Sequence, residues 1–374
     1  MQIEKCKLQI EDNGGGRLND RPICILHFAF CILHSRLLSA LLIIVNLAIA
    51  ADAVADETAD DVVLAIHGGV GVLDKELMTP EKRQQYHTAL QAALRAGSAA
   101  LERPDATSLD AVVAAIIVLE DSPLFNAGKG AVFTKDGRNE LDACLINGAN
   151  RKSGAVANLT TIKNPIVAAR IVMEKSSHVL MVGRGAEQFA AAHGAETVDP
   201  SYFRTEERWQ MYQRALQKLE QAAPKQGATP RLPADSRFGT VGCVAVDRHG
   251  NLAAGTSTGG ITLKLTGRVG GAPIIGAGTY ANNHTCAISG TGDGEYFIRL
   301  VAAHDISALM EYRGLNVVDA SRQVVHEKIG KAGGEAGVIV LDPRGRLALT
   351  YNTPGMYRGY ITRDKREHVA IYEE

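Results

Sequence analysis

The body of this 374-residue chain holds few cysteines: Cys144, Cys243 and Cys286, with Cys6, Cys24 and Cys31 confined to an atypical N-terminal stretch. Scattered in this way they form neither a disulfide framework nor the paired spacing of a zinc knuckle. A surplus of one charge is also missing. Forty Lys and Arg stand against 41 Asp and Glu, a formal net charge of −1, which removes any electrostatic case for nucleic acid or a membrane surface as partner. The eleven histidines include no H-x-x-x-H pair on a helix and read most simply as solvated or hydrogen-bonded side chains. No Gly-x-Ser-x-Gly elbow is present. Gly69-Val70-Gly71 follows a strand, but Asp74 stands where a dinucleotide fingerprint needs its third glycine, and Gly290-Thr291-Gly292-Asp293-Gly294 fails that spacing too. What remains, with 46% hydrophobic and 22% charged residues, is ordinary for a folded soluble protein with a sizeable core.

The first residues bear on localisation. An apolar run at 37–50, LLSALLIIVNLAIA, follows Arg36 and precedes the small-residue sites Ala48-Ile49-Ala50 and Ala51-Asp52-Ala53. This is the layout of a secretory signal peptide over about 36–53, and roughly fourteen residues fall short of the roughly twenty a spanning helix needs. The upstream run PICILHFAFCIL keeps a permanent anchor open as the alternative. Because Met1 lies far upstream of Arg36 and the next methionine is Met78, residues 1 to about 35 read as an extension outside the true product, with translation starting at a later, non-Met codon. The expected product is secreted or periplasmic.

Past this segment the patterning predicts an apolar strand, VVLAIH at 62–67, ending in a glycine turn. Helices follow from about Pro80, with Thr79 as cap, and from Thr107, whose Thr-x-x-Asp spacing resembles a capping box and whose helix stops at Ser122-Pro123. Strand character around Leu141 to Ile146 leads to Asn147-Gly148, a hairpin signal. HVLMVG at 178–183 reads as a buried strand and 206–221 as a polar helix. Residues 223–238, with three prolines and mixed charge, read as an exposed linker. An alternating strand from Gly239 to Val246 then pairs with Leu252 to Ser257 through a turn at 247–251. Two helices, about 294–312 and 316–331, and a hairpin through Asp342-Pro343-Arg344-Gly345 complete the chain.

A threonine opening a strand is usually only a β-branched residue in a sheet. A mobile linker, then Gly-Thr, then a strand is more specific, because a self-cleaving threonine hydrolase needs that arrangement. Glycine before the nucleophile tolerates a strained backbone. Attack of the Thr240 hydroxyl on the Gly239 carbonyl would give an ester whose hydrolysis frees the Thr240 α-amine. With an ordinary pKa of about 7.7–8.0, that amine can accept the proton of its own hydroxyl, so the nucleophile carries its general base.

HGGVG (67–71), PLFNAGKGAVF (123–133), ELDA (140–143), GTVGCVAVD (239–247), GNLAAGTSTGG (250–260), GRVG (267–270) and SGTGDGE (289–295) stand in one order along the chain. Together they resemble the plant-type asparaginases, or isoaspartyl peptidases, among the N-terminal nucleophile hydrolases, from about residue 62 to 360. The resemblance implies an α+β four-layer αββα sandwich with two antiparallel sheets, cleaved into an α subunit (54–239) and a β subunit (240–374) that form one domain. It implies Thr240 as nucleophile, Thr258 as its hydroxyl partner, and Thr291 with the Gly292 N–H as oxyanion hole. Arg268, in Arg268-Val269-Gly270-Gly271, would take the substrate α-carboxylate, Asn126 would lie near the scissile linkage, and Gly294, after Asp293, would offer its carbonyl to the substrate ammonium. Leu119, Glu120, Ser122, Phe125, Ala127 and Lys129 match a loop whose carbonyls hold a structural sodium; no cofactor serves catalysis. The implied reaction is hydrolysis of β-aspartyl peptides or L-asparagine by a dimer of α/β pairs. A glycosylasparaginase-like amidase and a non-catalytic secreted binding protein are the alternatives. One departure stands out: the family's aspartate that pairs with the substrate ammonium is Gly271 here.

Overall fold

The computed structural model describes residues 57–71, 78–221 and 239–372; the signal segment and the 223–238 linker lie outside them. In chain order the elements are β1 (Glu57–Ala59), β2 (Val62–Gly71), α1 (Pro80–Leu101), α2 (Ser108–Asp121), β3 (Leu141–Asn147), β4 (Ser153–Leu159), α3 (Pro165–Lys175), β5 (Leu180–Val182), α4 (Gly183–Ala192), α5 (Glu206–Gln221), β6 (Val241–Val246), β7 (Leu252–Thr258), β8 (Thr279–Ala281) and β9 (Ala287–Gly292). They continue with α6 (Gly294–Leu300), α7 (Ala302–Arg313), α8 (Val317–Arg322), β10 (Ala336–Leu341), β11 (Leu347–Tyr351), β12 (Gly355–Thr362) and β13 (Glu367–Ala370).

Among the described residues the strands form an eight-stranded sheet ordered β13-β12-β2-β6-β7-β3-β4-β5 and a five-stranded sheet ordered β1-β11-β10-β9-β8. Alternation along β6 shows how they stack. Val241, Cys243 and Ala245 join one core with Leu90 of α1 and Val112 and Ile116 of α2. Val244 and Val246 join a second core with Ile288, Val338 and Val340 of the smaller sheet and Ile306 and Val324 of the helices beyond it. The period-two geometry of a strand sends alternate side chains to opposite faces, so the order is helices, sheet, sheet, helices, the expected four-layer arrangement. Thr240 precedes β6 on the face that looks toward the other sheet.

The helix starts agree with the sequence signals. Thr79 Oγ1 accepts from Lys82 N at 3.2 Å, and Asp110 Oδ2 accepts from Thr107 N at 2.8 Å, the reciprocal half of a capping box. Other expectations are corrected. β2 does not end at the glycines but runs through Gly71, with a register shift that leaves Gly68 without a partner opposite Tyr357 and Arg358. The Asn147-Gly148 hairpin closes through a longer loop in which Arg151 takes φ 58°, not a two-residue turn. The 178–183 segment is no buried strand: β5 pairs parallel to β4 at the sheet's edge with Leu180 and Val182 exposed, so the sheets are not wholly antiparallel. The helix expected over 294–312 breaks at Val301, which adopts φ 49° between α6 and α7, and α8 continues as a π-helical segment, Gln323–Gly330.

Candidate active site

Two recesses meet at Thr240. One is lined by Thr240 and Thr258 together with Arg268, Gly270, Gly271, Thr291, Gly292 and Gly294. The other is lined by Gly239, Thr240, Val70, Gly71, Gly292, Asp293 and Glu335. The nucleophile candidate therefore stands between an arginine-bearing pocket and an acidic one, on the sheet face that points to the second sheet.

The backbone around Thr240 is held by close approach. A Cβ placed on Gly69, whose φ is +111°, would lie 2.1 Å from the Gly239 Cα. Gly239 thus lies against the glycine segment of β2, where no larger residue fits. Thr240 Oγ1 donates to Thr258 Oγ1 at 3.0 Å, and Thr258 Oγ1 also accepts from Gly260 N at 2.9 Å. Two donors on one oxygen fix it as the acceptor for the Thr240 proton. On the far side, Thr291 is buried and accepts from Val70 N at 3.4 Å. Gly292 adopts φ +126°, and a Cβ there would come within 2.2 Å of the Glu335 carbonyl.

Arg268 sits at the other end of the first recess. Its Nε and Nη2 donate to the two oxygens of Glu295 at 3.0 and 2.8 Å, a two-pronged pairing suited to guanidinium. The remaining nitrogen, Nη1, also borders the recess: a Cβ on Gly270 would lie 3.0 Å from it and one on Gly260 3.3 Å. Behind it, the buried Lys264 donates to the Glu140 carbonyl at 2.9 Å. Burial pushes the Asp142 carboxyl up and the Lys264 ammonium down, while attraction between the two opposes both shifts.

Gly271 lines the first recess. A Cβ on Gly271 would lie 3.5 Å from the Gly294 carbonyl and 2.9 Å from Phe297 Cβ. Val269 is half-buried and lines neither recess. Asp293 belongs to the second recess, where its Oδ2 accepts from Glu335 N at 3.0 Å. Asn126 stands behind the wall: its Nδ2 donates to the Gly260 carbonyl at 2.7 Å and its Oδ1 accepts from Val132 N at 3.0 Å, so it shapes the turn after Thr258.

The loop expected to hold sodium is dense in carbonyl oxygens. A Cβ on Gly128 would fall 2.3 Å from the Glu120 carbonyl, and one on Gly130 2.1 and 2.7 Å from those of Phe125 and Pro123. The Lys129 ammonium is drawn over the Tyr202 ring, 5.3 Å from its centroid. The loop also receives a cation from the protein itself, since Arg208 donates to the carbonyls of Gly130 at 2.8 Å and Leu124 at 2.9 Å. Glu120 is fully buried, its Oε1 accepting from Ser257 Oγ at 2.6 Å, and burial pushes its carboxyl up to about 8.

Several residues of this site escaped the sequence. His67 is completely buried, with Nδ1 3.0 Å from the Thr240 carbonyl and Nε2 2.9 Å from Ser289 Oγ. The available signal was its place at the end of an apolar strand, before the glycines. Glu295 closes the SGTGDGE motif but had no role assigned to it, and Lys264 and Arg208 carried no signal.

The family described as Asparaginase matches residues 60–371. The chain belongs to the asparaginase family. Its relatives include the isoaspartyl peptidase of Salmonella typhimurium, 48% identical over 312 residues that cover 83% of this chain and 99% of that protein. The isoaspartyl peptidase of Escherichia coli is 48% identical over 83% of this chain and 96% of its own length. The plant-type L-asparaginase of Pyrococcus abyssi is 39% identical over 83% of this chain and 99% of its own. Membership makes the chain a hydrolase of the asparaginase type, an amidohydrolase, with the N-terminal nucleophile hydrolase fold that the four layers display.

Proposed function

We propose that this chain is the precursor of a self-cleaving threonine amidohydrolase that breaks its own Gly239–Thr240 bond and then hydrolyses β-aspartyl peptides and L-asparagine. The observation that carries the reading is the Thr240 hydroxyl, directed at Thr258 beside Gly239 and facing the same recess as Thr291, Gly292 and Arg268. In the precursor the Thr240 nitrogen is an amide and cannot act as a base, so Thr258 relays the proton: its Oγ1 accepts that of the Thr240 hydroxyl as Thr240 Oγ1 attacks the Gly239 carbonyl, and its own proton passes to the Thr240 nitrogen as the Gly239–Thr240 C–N bond breaks. Water then hydrolyses the ester, leaving a carboxylate on Gly239 and returning the hydroxyl of Thr240, which now carries a free α-amine. In the mature enzyme that amine takes the proton, Oγ1 attacks the side-chain carbonyl of the aspartyl group, and Thr291 with Gly292 donates to the oxyanion. The leaving amine departs with a proton, and water releases aspartate from the ester.

Arg268 Nη1 holds the substrate α-carboxylate, and the Gly294 carbonyl accepts from the ammonium. Carbonyls of Leu119, Glu120, Ser122, Phe125, Ala127 and Lys129 would hold a structural sodium, as hard cations prefer oxygen. This ion would stiffen the loop from which Phe125 reaches Gly68 and Asn126 reaches Gly260. The product is secreted through its 36–53 segment and pairs as a dimer of α/β units; exposed Val179, Leu180 and Val182 are suited to such a contact. Intact Thr240, Thr258 and Thr291 weigh against a non-catalytic binding protein.

A denaturing gel tests the reading. The purified protein should separate into two chains, the smaller beginning Thr-Val-Gly-Cys, and should release ammonia from L-asparagine and aspartate from a β-aspartyl dipeptide. Thr240→Ala should remain one chain. Cleavage persisting in that variant would reject the mechanism.

A further inference from the structure

Beneath Thr240 a continuous hydrogen-bonded chain crosses the space between the sheets. It runs from the Thr240 carbonyl to His67 Nδ1 (3.0 Å), from His67 Nε2 to Ser289 Oγ (2.9 Å), and on to Thr256 Oγ1 (2.7 Å), Thr279 Oγ1 (2.6 Å) and finally the Ala272 carbonyl (2.9 Å). All four side chains have zero exposure. β6 is hollowed to admit them: a Cβ on Gly242 would lie 1.9 Å from Ser289 Oγ and 2.3 Å from His67 Nε2.

The protons do not balance. Both ends are carbonyls, which only accept. A neutral imidazole contributes one N–H and each of the three hydroxyls one O–H, so four protons serve five contacts. The Cys144 thiol beside Thr279 adds a contact together with its own proton and leaves the deficit unchanged. An imidazolium would fill it, but no carboxylate is among the partners of His67, and burial holds its protonation down to about 3. One contact in the chain therefore lacks a proton.

We propose that the vacancy sits at Ala272, so that His67 is the Nδ1–H tautomer and acts as a positioning residue, clamping the Thr240 carbonyl and with it the direction of the nucleophile's hydroxyl. Ser289 then donates to Nε2, Thr256 to Ser289, and Thr279 to Thr256. Two observations favour this polarity. The single proton of Thr279 belongs in its shorter contact, 2.6 Å to Thr256 against 2.9 Å to Ala272. The opposite polarity would also set the imidazole lone pair, the most basic acceptor in the chain, against the Thr240 carbonyl. Ala272 lines the recess, so the vacancy lies at the end nearest solvent. The role assigned to His67 rests on Thr240 being the nucleophile; its tautomer does not.

The test has two arms. Nitrogen-15 NMR of histidine-labelled protein, with the His67 signals identified by their loss in His67→Gln, should show protonated Nδ1 and unprotonated Nε2 between pH 5 and 8. Protonated Nε2, or an imidazolium in that range, would overturn the proposal even if no variant folded. In steady-state kinetics, Ser289→Ala leaves Nε2 without its donor and should lower kcat about tenfold or more with little change in KM. Thr256→Val should also lower kcat, and Thr256→Ser should restore it. Thr279→Val removes the donor to Thr256 but lies three contacts from the imidazole, so it should lower kcat clearly less than Ser289→Ala; a loss as large as that of Ser289→Ala would mean the opposite polarity. If Thr240→Ala were still cleaved, the nucleophile assignment would fail while the tautomer result stood.

Discussion

Replacing Gly271 by aspartate should restore the carboxylate that the family places against the substrate ammonium. The structure fixes both the gain and the cost. Gly271 does not occupy the left-handed region, so an L side chain meets no backbone strain there, and its Cβ would point past the Gly294 carbonyl at 3.5 Å, the acceptor already assigned to that ammonium. A hydrogen bond involving a charged group contributes about 1.5–3 kcal/mol, or roughly ten- to a hundredfold in kcat/KM. The cost is steric. The same Cβ would lie 2.9 Å from Phe297 Cβ, an atom fixed to the backbone of α6, so the helix must yield by several tenths of an ångström. Overpacking of this kind costs about 1–3 kcal/mol of stability.

Gly271→Ala carries the steric cost without the charge, so the comparison of Asp with Ala isolates the electrostatic gain. With a β-aspartyl dipeptide and its N-acylated analogue as substrates, Gly271→Asp should exceed Gly271→Ala by about ten- to a hundredfold on the free amine and fall below it on the acylated one. Melting temperatures of the two variants should agree, both below that of the parent. An unchanged ratio of the two kcat/KM values between Asp and Ala would show that position 271 does not meet the substrate amine. Asp293→Ala provides the companion control: a selective loss on the free-amine substrate would mean that the ammonium is met from the second recess instead.

Thr291→Val should lose roughly 2.7–4 kcal/mol of transition-state stabilisation, read as a fall in kcat with a smaller change in KM; an unchanged kcat would remove Thr291 from the oxyanion hole. His67, held neutral by burial with its pKa lowered from 6.5 to about 3, contributes stability that is complete above pH 6.5 and lost as pH falls toward 3. In denaturant titrations of uncleaved Thr240→Ala, ΔG should therefore fall between pH 6 and 4 more steeply, by up to about 1.4 kcal/mol per pH unit, than in the same chain carrying His67→Gln; equal slopes would place His67 in solvent. Exchange of sodium for tetramethylammonium should lower the melting temperature, with recovery on adding sodium; indifference to the exchange would leave the 119–130 loop to Arg208 alone.

The elements legible in the sequence were those whose signals are local. Thr79-Pro80 and Thr107 with Asp110 state where α1 and α2 begin because a cap and its partner lie within one turn. The layers were not legible. VVLAIH is apolar on both faces, and the alternation in VGCVAV is one of size and not of polarity, since each strand buries one face under helices and the other against a second sheet, so neither pattern says which neighbour lies on which side. The apolar 178–183 segment misled for the converse reason: three residues pair with β4 at the edge of the sheet, where hydrophobicity need not mean burial. The break at Val301, a non-glycine residue at φ 49°, leaves no mark in composition.

At the site, the hydroxyls of Thr240, Thr258 and Thr291 could be named from motif order, but their geometry depends on contacts between motifs that the order alone does not state. Thr258 is a useful acceptor only because Gly260 N supplies its second donor, and Gly260 is placed by Asn126 from a loop 134 residues away. His67 reads as one of eleven unremarkable histidines until β2 pairs with β6 and sets it opposite Gly242. The same pairing explains the glycine two residues after the nucleophile. A strand so apolar gains nothing from glycine in propensity, and backbone freedom is not needed there, since Gly242 shows no positive φ. Its side chain is absent because the imidazole and the Ser289 hydroxyl occupy the space. Gly242→Ala should therefore injure cleavage more than stability, because the displaced group is the one that clamps the Thr240 carbonyl. Normal self-cleavage in a Gly242→Ala chain of reduced melting temperature would show that the space is needed only for packing.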